Sequence, residues 1–284
     1  VKQVGLVGFP VAHSRSPQMQ NAGFRTLGID AHYALWETPP ESLEKRIASL
    51  RSPEFLGANV TIPYKEQVVA LLDECDLQAR RIGAVNTIVH RYGRLIGYNT
   101  DAPGLLRALA ECPGYPFHSA GKKVVILGTG GAARGAAVAL LDAGAASITF
   151  LGRSVANVQA LRQHILALSS GTVVQGAIFH SIEADTFLRE ADLVVNATSV
   201  GLKSGDDTIL FDVSLLPADA LVMDMIFNVE RTALLQAALE RGCRILNGLP
   251  MLLYQGTLAF ELWTGRDAPV AVMREALGLQ SRIR

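Results

Sequence analysis

Cysteine is scarce: the 284 residues hold three, at Cys75, Cys112 and Cys243, far apart and in no C-x-x-C pair. That excludes a disulfide framework and a zinc set of the usual spacing, and it fits free thiols in a reducing compartment. Net charge is missing as well. Basic and acidic residues each number 26, for a formal charge of +0. Without a basic surplus, neither nucleic acid nor an anionic membrane surface is an expected partner. Hydrophobic residues make up 49% of the chain, yet no apolar run approaches the ~18 residues of a membrane span. No repeat or low-complexity tract is visible, and Val1-Lys2-Gln3-Val4 enters a strand pattern without a signal-peptide profile. The expectation from these absences is a protein of about two domains in a reducing, cytoplasmic compartment. A homodimer is compatible with the sequence, which does not itself specify oligomeric state.

The most informative stretch is Val124-Val125-Ile126-Leu127-Gly128-Thr129-Gly130-Gly131-Ala132-Ala133-Arg134. A short, wholly apolar run reads as a buried parallel strand, and the Ala-rich segment after it has helical spacing. Strand, Gly-x-Gly-x-x-Ala turn and helix, in that order, form the context of a dinucleotide fingerprint; an ordinary tight βα turn is the plainer reading. In the first reading Gly128 makes the turn and Gly130 admits a pyrophosphate. Ala133 lets the helix pack closely, and the free N–H groups of the helix start face the phosphates. The next strand, Ser147–Leu151, ends where a nicotinamide-dinucleotide fold usually offers an acid to the ribose. This chain has Gly152-Arg153-Ser154 and no carboxylate there. A guanidinium and a hydroxyl suit a 2′-phosphate, so the expected cofactor is NADP.

Earlier in the chain, Lys2–Gly8, Ala31–Glu37 and 55–61 read as strands. Helices are expected over 17–27, 40–50 and 66–75, and a hairpin turns at Arg91-Tyr92-Gly93. Ser16 is placed to cap the first helix at Pro17, and Ser14 beside it offers a second hydroxyl, together a seat for a small carboxylate. Lys65 falls at the very start of the expected 66–75 helix, the end that disfavours a cation. It is either a solvated surface lysine or, if partly buried, one with a depressed pKa. Asp101 reads as the cap of a helix starting at Leu105. Asn59, Thr61 and Asn86 lie at or near strand C-terminal ends, where open α/β sheets bind ligands. Towards the C-terminus, a strand with its C-terminal turn is expected over 191–199, strands over 220–227 and Arg244–Leu246, and a helix over 232–241. The last two helices are expected over 251–263 and 270–277, and Gln255 and Gln280 are their amides.

Taken together and in order, these pieces resemble the shikimate dehydrogenase family. They are Ser14-Arg15-Ser16-Pro17, Asn59-Val60-Thr61-Ile62-Pro63-Tyr64-Lys65, Gly83-Ala84-Val85-Asn86-Thr87, Gly97-Tyr98-Asn99-Thr100-Asp101, the 128–133 turn, Asn196-Ala197-Thr198-Ser199, and Gly248-Leu249-Pro250-Met251 with Gln255-Gly256. The resemblance implies an α/β fold with an N-terminal substrate domain over 1–111 and 249–284, its closing helices returning from the C-terminus. A Rossmann-like NADP domain would span 112–248, and the active site would lie in the cleft between the two. The implied reaction is the reversible NADPH-dependent reduction of 3-dehydroshikimate to shikimate, in aromatic amino-acid biosynthesis. Carried over by position, Ser14 and Ser16 would hold the substrate carboxylate, and Asn59, Thr61, Asn86 and Gln255 its ring hydroxyls. Lys65 and Asp101 would be the catalytic pair, which overturns the cap reading of Asp101. The cofactor would sit on Gly128, Gly130, Gly131, Ala132, Ala133, Arg153, Ser154, Thr198 and Ser199, and no metal is implied.

Three positions depart from the family pattern. Gly152 stands where asparagine is common and Asn157 where a second arginine is frequent; both bear on the strength of the NADP preference. Phe227 stands where tyrosine is usual, removing a hydroxyl near the substrate. The nearest alternative is a quinate/shikimate dehydrogenase using NAD or NADP. An alternative of another class is a non-catalytic module that senses a metabolite or dinucleotide, against which the Lys65–Asp101 pair argues.

Overall fold

The computed structural model describes residues 1–203 and 205–279; Gln280 lies outside the described residues. The chain divides into two compact units, Val1–Gly104 with the chain from Leu252 on, and Leu105–Met251.

In the first unit β1 (Lys2–Gly8), β2 (Ala31–Glu37), β3 (Phe55–Val60), β4 (Glu74–Cys75), β5 (Thr87–Arg91) and β6 (Arg94–Tyr98) share one sheet, in the order β2-β1-β3-β5-β6-β4. β1 is parallel to β2 and β3, whereas β5 is antiparallel to β3 and β6. Side chains alternate across the sheet. Val7, Ala58, Val60, Ile88 and Leu95 meet α2 (Leu43–Ser49) and α3 (Leu77–Ile82) through Leu43, Ile47 and Ala79. Tyr33 points the other way, its ring 6.0 Å from that of Trp263 in α9 (Leu249–Thr264). On that side Phe24 of α1 (Ser16–Thr26) stacks on Phe260, and α10 (Val270–Ala276) brings Met273 against Gly23. Each such fully buried large side chain contributes about 1.5–3 kcal/mol of hydrophobic stabilisation.

Four expectations in this unit need correcting. The 40–50 segment is a 3-10 turn, Pro40–Ser42, followed by α2. Ser16 is the first residue of α1 rather than its cap; Arg15 holds the cap position without a side-chain bond. No α-helix forms over 66–75. The segment makes a five-residue 3-10 helix, Gln67–Leu71, and the short β4, so the dipole argument for Lys65 lapses. Asp101 opens α4 (Asp101–Ala110) from within, while Asn99 caps it, accepting from the amides of Asp101 and Ala102 at 3.1 and 3.3 Å.

The second unit carries β7 (Lys123–Leu127), β8 (Ser147–Gly152), β9 (Val173–Ile178), β10 (Leu193–Asn196), β11 (Leu221–Asp224) and β12 (Arg244–Leu246). All pair in parallel, in the order β12-β11-β10-β7-β8-β9. Numbered within the unit this is 6-5-4-1-2-3, the doubly wound dinucleotide order, with its switch point between β7 and β10. Val125, Leu127, Val194 and Val222 pack on α7 (Ile182–Arg189) and α8 (Ala233–Arg241). On the opposite face lie α5 (Gly131–Asp142) and α6 (Val155–Leu168). Burial on both faces is why β7 is apolar at every position after Lys123. Among the described residues no helix is long and apolar enough to cross a membrane.

Candidate active site

In the first unit the strand ends and the start of α4 bring a dense polar cluster together. Asn99, by capping α4, sets Asp101 at a helix N-terminus, where a carboxylate is favoured. Asp101 Oδ2 lies 2.6 Å from Lys65 Nζ, with the two side chains only 17% and 9% exposed, lysine first. A charge-assisted bond of this length, so far removed from water, strongly orients both groups. The second carboxylate oxygen accepts from Asn86 Nδ2 at 2.8 Å. Asn86 also donates to Thr100 Oγ1 at 2.9 Å and, at 3.4 Å, to Gln255 Oε1. Its own oxygen accepts from the Thr100 amide at 2.7 Å. Asn59 donates to the Asn86 carbonyl and to Thr87 Oγ1 at 3.1 and 3.0 Å. The chain thus sets an ammonium, a carboxylate and several side-chain amides together, able to hold hydroxyls and move one proton.

Ser14 and Ser16 stand at the start of α1, their hydroxyls 3.2 Å apart, and the Ser16 amide also reaches Ser14 Oγ. Arg15 between them anchors the loop by donating to the Leu277 carbonyl at 2.8 Å. Thr61 is half-buried after β3, its amide donating to Val7. The structure brings Asn59, Lys65, Asn86, Asp101 and Gln255 into one connected network; no hydrogen bond among the described residues joins Thr61 Oγ1 to it. Thr87 and Thr100 also belong to the network; no sequence signal marks them individually, although both sit inside the motifs quoted. Tyr33 carries no sequence signal at all, because a tyrosine alternating in a strand reads as core. Its OH donates to Asn59 Oδ1 at 2.8 Å. Burial pushes this phenol far above its usual pKa, and the neighbouring Ser16 hydroxyl offsets part of that.

In the second unit Gly128 ends β7 with φ +105°. A Cβ there would stand 3.0 Å from Thr198 Cγ2, so the turns after β7 and β10 touch at the switch point. Gly130 is exposed and has open space where its Cβ would be. It precedes α5 without any side-chain cap, leaving the first amides, at Gly131, Ala132 and Ala133, for a ligand. A diphosphate fits this cradle. The turn after β10 is braced from below. Asn196 Oδ1 accepts from Thr198 N and Oγ1 while its Nδ2 donates to Asp224 at 3.0 Å. Asp224 is fully buried, so its carboxyl titrates above the usual range, and Thr232 donates to its other oxygen. Ser199 is exposed beyond this brace.

Arg153 is exposed at the end of β8 and, among the described residues, has no ion-pair partner. Ser154 acts locally, capping α6 by accepting from the Asn157 amide at 3.3 Å. Gly152 has a packing reason, since a Cβ there would lie 2.7 Å from Val158 Cγ2 of α6. Phe227 is half-buried just after β11.

Against this geometry the comparisons with known proteins are specific. Residues 6–88 match the family model described as the shikimate dehydrogenase substrate binding domain. Residues 114–203 match shikimate / quinate 5-dehydrogenase, and residues 248–277 the shikimate 5′-dehydrogenase C-terminal domain. The shikimate dehydrogenase (NADP(+)) of Symbiobacterium thermophilum is 46% identical over 274 residues, 96% of this chain and 92% of that protein. That of Methanopyrus kandleri is 44% identical over 96% of this chain and 94% of its own length. The crystal structure of shikimate 5-dehydrogenase from Thermus thermophilus, in complex with NADP(H) and shikimate, superimposes with a TM-score of 0.86. It is 36% identical and covers 98% of this chain and 99% of its own.

Proposed function

This chain belongs to the shikimate dehydrogenase family, and we propose that it catalyses the reversible, NADP(H)-dependent reduction of 3-dehydroshikimate to shikimate. The observation that carries the reading is the Lys65–Asp101 pair, 2.6 Å apart within a hydrogen-bonded polar network. NADPH, when bound, supplies the hydride that the substrate carbonyl carbon takes up. The protein's part is the proton that the carbonyl oxygen takes up. As the carbonyl oxygen becomes an alkoxide, Lys65 Nζ gives it a proton, and in the oxidative direction takes it back. Asp101 holds the ammonium in place and steadies its charge. Ser14 and Ser16 hold the substrate carboxylate at the start of α1, and Asn59, Thr61, Asn86 and Gln255 its ring hydroxyls. Asn86 has its amide hydrogens engaged, so its contact with substrate requires one of them to be exchanged. Gly128, Gly130, Gly131, Ala132 and Ala133 cradle the cofactor pyrophosphate, with Thr198 and Ser199 beside it. Arg153 receives the 2′-phosphate.

A second reading is favoured by the family model that spans shikimate and quinate enzymes, and by Phe227 in place of tyrosine. Initial rates with shikimate and with quinate, each with NADP⁺ and with NAD⁺, separate the two. The proposal expects shikimate with NADP⁺ to give the highest kcat/KM. Quinate turnover equal to shikimate turnover, or NAD⁺ equal to NADP⁺, favours the second reading, and no turnover in any combination contradicts both. A homodimeric, cytoplasmic enzyme completes the proposal, and a solution mass equal to the 30.4 kDa monomer would overturn the dimer.

A further inference from the structure

Asn59 has a fixed orientation that can be deduced from its partners. The Asn86 main-chain oxygen can only accept, so the nitrogen of the Asn59 amide must face it, at 3.1 Å. The other hydrogen on that nitrogen goes to Thr87 Oγ1 at 3.0 Å. Both amide hydrogens are therefore committed, and the oxygen faces the Tyr33 hydroxyl at 2.8 Å. Tyr33 is 1% exposed, so bulk solvent does not compete for its proton. The Ser16 side chain lies beside the same phenol, and Ser14 Oγ lies 3.2 Å from Ser16 Oγ. A line of hydrogen bonds thus runs from Tyr33 to Asn59 and on to Asn86 and Thr87, with the serine pair beside its start.

We propose that Tyr33 is a positioning residue that locks the Asn59 amide with only an oxygen lone pair left for a ligand. Asn59 then reads a hydroxyl by accepting from it, and rejects a carbonyl or carboxylate at the same place, since it has no hydrogen to give. Burial that keeps the phenol protonated suits this role, because an ionised Tyr33 could not donate. The effect on turnover rests on the reading of this site as a shikimate site, whereas the state of the amide does not.

Two measurements test the proposal. In wild-type protein, NMR should show a slowly exchanging Tyr33 hydroxyl proton with cross-peaks to Asn59, and one pair of Asn59 amide protons protected from exchange. In Tyr33→Phe, which keeps the ring against Trp263, those amide protons should exchange freely and shift. The KM for shikimate should rise roughly threefold to tenfold, the worth of one hydrogen bond, with a smaller change in kcat and an unchanged KM for NADP⁺. Absence of the hydroxyl proton in wild type, or unaltered Asn59 protection and shikimate KM in Tyr33→Phe, would overturn the proposal. So would kcat, both KM values and thermal midpoint worsening together, as a structural role alone would have it. A wild-type protein without shikimate turnover would overturn the functional reading, and the NMR arm would still decide the role of Tyr33.

Discussion

At the scale of single residues, Arg153 and Ser154 are adjacent and exposed but have separable roles. Ser154 closes the first turn of α6, and removing such a cap destabilises by roughly 0.5–2 kcal/mol. Arg153 has no ion-pair partner among the described residues, and a charged hydrogen bond to phosphate is worth roughly 1.5–3 kcal/mol, or about 10- to 150-fold in affinity. Asn157 in place of a second arginine puts the expectation in the lower half of that range. Arg153→Ala should weaken NADP⁺ binding by titration calorimetry, leave NAD⁺ binding nearly unchanged, and keep the melting temperature. Ser154→Ala should do the reverse, lowering the melting temperature with little change in NADP⁺ affinity. Equal loss of both cofactors in Arg153→Ala would count against the 2′-phosphate assignment. The sequence displayed Arg153 by the absence of an acid at the right distance, a signal of chemistry. The roles of Ser154 and Tyr33 depend on partners that no single-residue signal names, and only three dimensions supply them.

Elements account for the precision of the site. Asn99 holds two amides of the first turn of α4 and donates to the Ala84 carbonyl at 3.0 Å. Asn99→Ala should therefore lower stability by about 1–2 kcal/mol in urea titration and reduce kcat, because Asp101 loses its fixed start of helix. A melting curve and kcat both at the wild-type value would show that α4 needs no such cap. The β7–α5 turn allows a sharper test, because its two glycines serve different ends. Gly128→Ala meets Thr198 at 3.0 Å in a φ that side chains avoid, a strain of order 1–3 kcal/mol, and should lower the melting temperature. Gly130→Ala meets open space, so the melting temperature should hold while NADP⁺ affinity falls at least about tenfold, or 1.4 kcal/mol. Unchanged affinity in Gly130→Ala would remove the phosphates from this turn.

Element legibility followed the strength of local signals. β1 and β2 matched to the residue because Gly8-Phe9-Pro10 and the Ile29–Asp30 turn bound them sharply. The hairpin was legible because Tyr92 and Gly93 both take positive φ, as a tight two-residue turn demands. The 66–75 segment misled because Val68, Val69, Leu71 and Leu72 satisfy helical spacing equally well as a 3-10 turn entering an edge strand. α3 is too short for periodicity to reveal, and its one signal is Asp76, whose carboxylate accepts from the Ala79 amide. Around β9 the flanking helices α6 and α7 each begin at a serine cap, Ser154 and Ser181, a weak signal that many loop serines share.

At the scale of the whole molecule, the balanced charge makes pH dependence a matter of particular carboxylates. Asp73 is held below the usual range, chiefly by its hydrogen bond from Arg51 and then by the Leu95 amide. Asp206 and Asp212 are lowered too, by bonds from Thr208 and Ser214 first. A depressed carboxylate stabilises the fold above the unfolded value near about 3.9 and loses that contribution as pH falls through its folded value. Asp224, raised by burial, acts in the opposite sense and gains stability as pH falls through its raised value. With three lowered groups against one raised among the described residues, urea midpoints should fall as the pH drops below about 4. Asp73→Asn should flatten that fall. An unchanged slope would assign acid sensitivity to other groups.

The strand, turn and helix around Gly128–Gly130 are contiguous in the chain, which explains why this β7–α5 unit was readable from a dozen residues. The polar cluster of the first unit draws on residues from 33 to 255, so sequence alone revealed its members only through family resemblance, and its bonds not at all. In the proposed mechanism its chemistry turns on Lys65. The most direct test is single-turnover formation of NADPH from shikimate and NADP⁺, in wild type, Lys65→Ala, Asp101→Asn and the double variant, with binding of both ligands measured in each. The account predicts a rate lowered by roughly 10²–10⁴ in Lys65→Ala, with NADP⁺ affinity retained. The double variant should be little worse than the worse single, as groups acting as one unit behave. A wild-type rate in Lys65→Ala, or full additivity of the two substitutions, would contradict it.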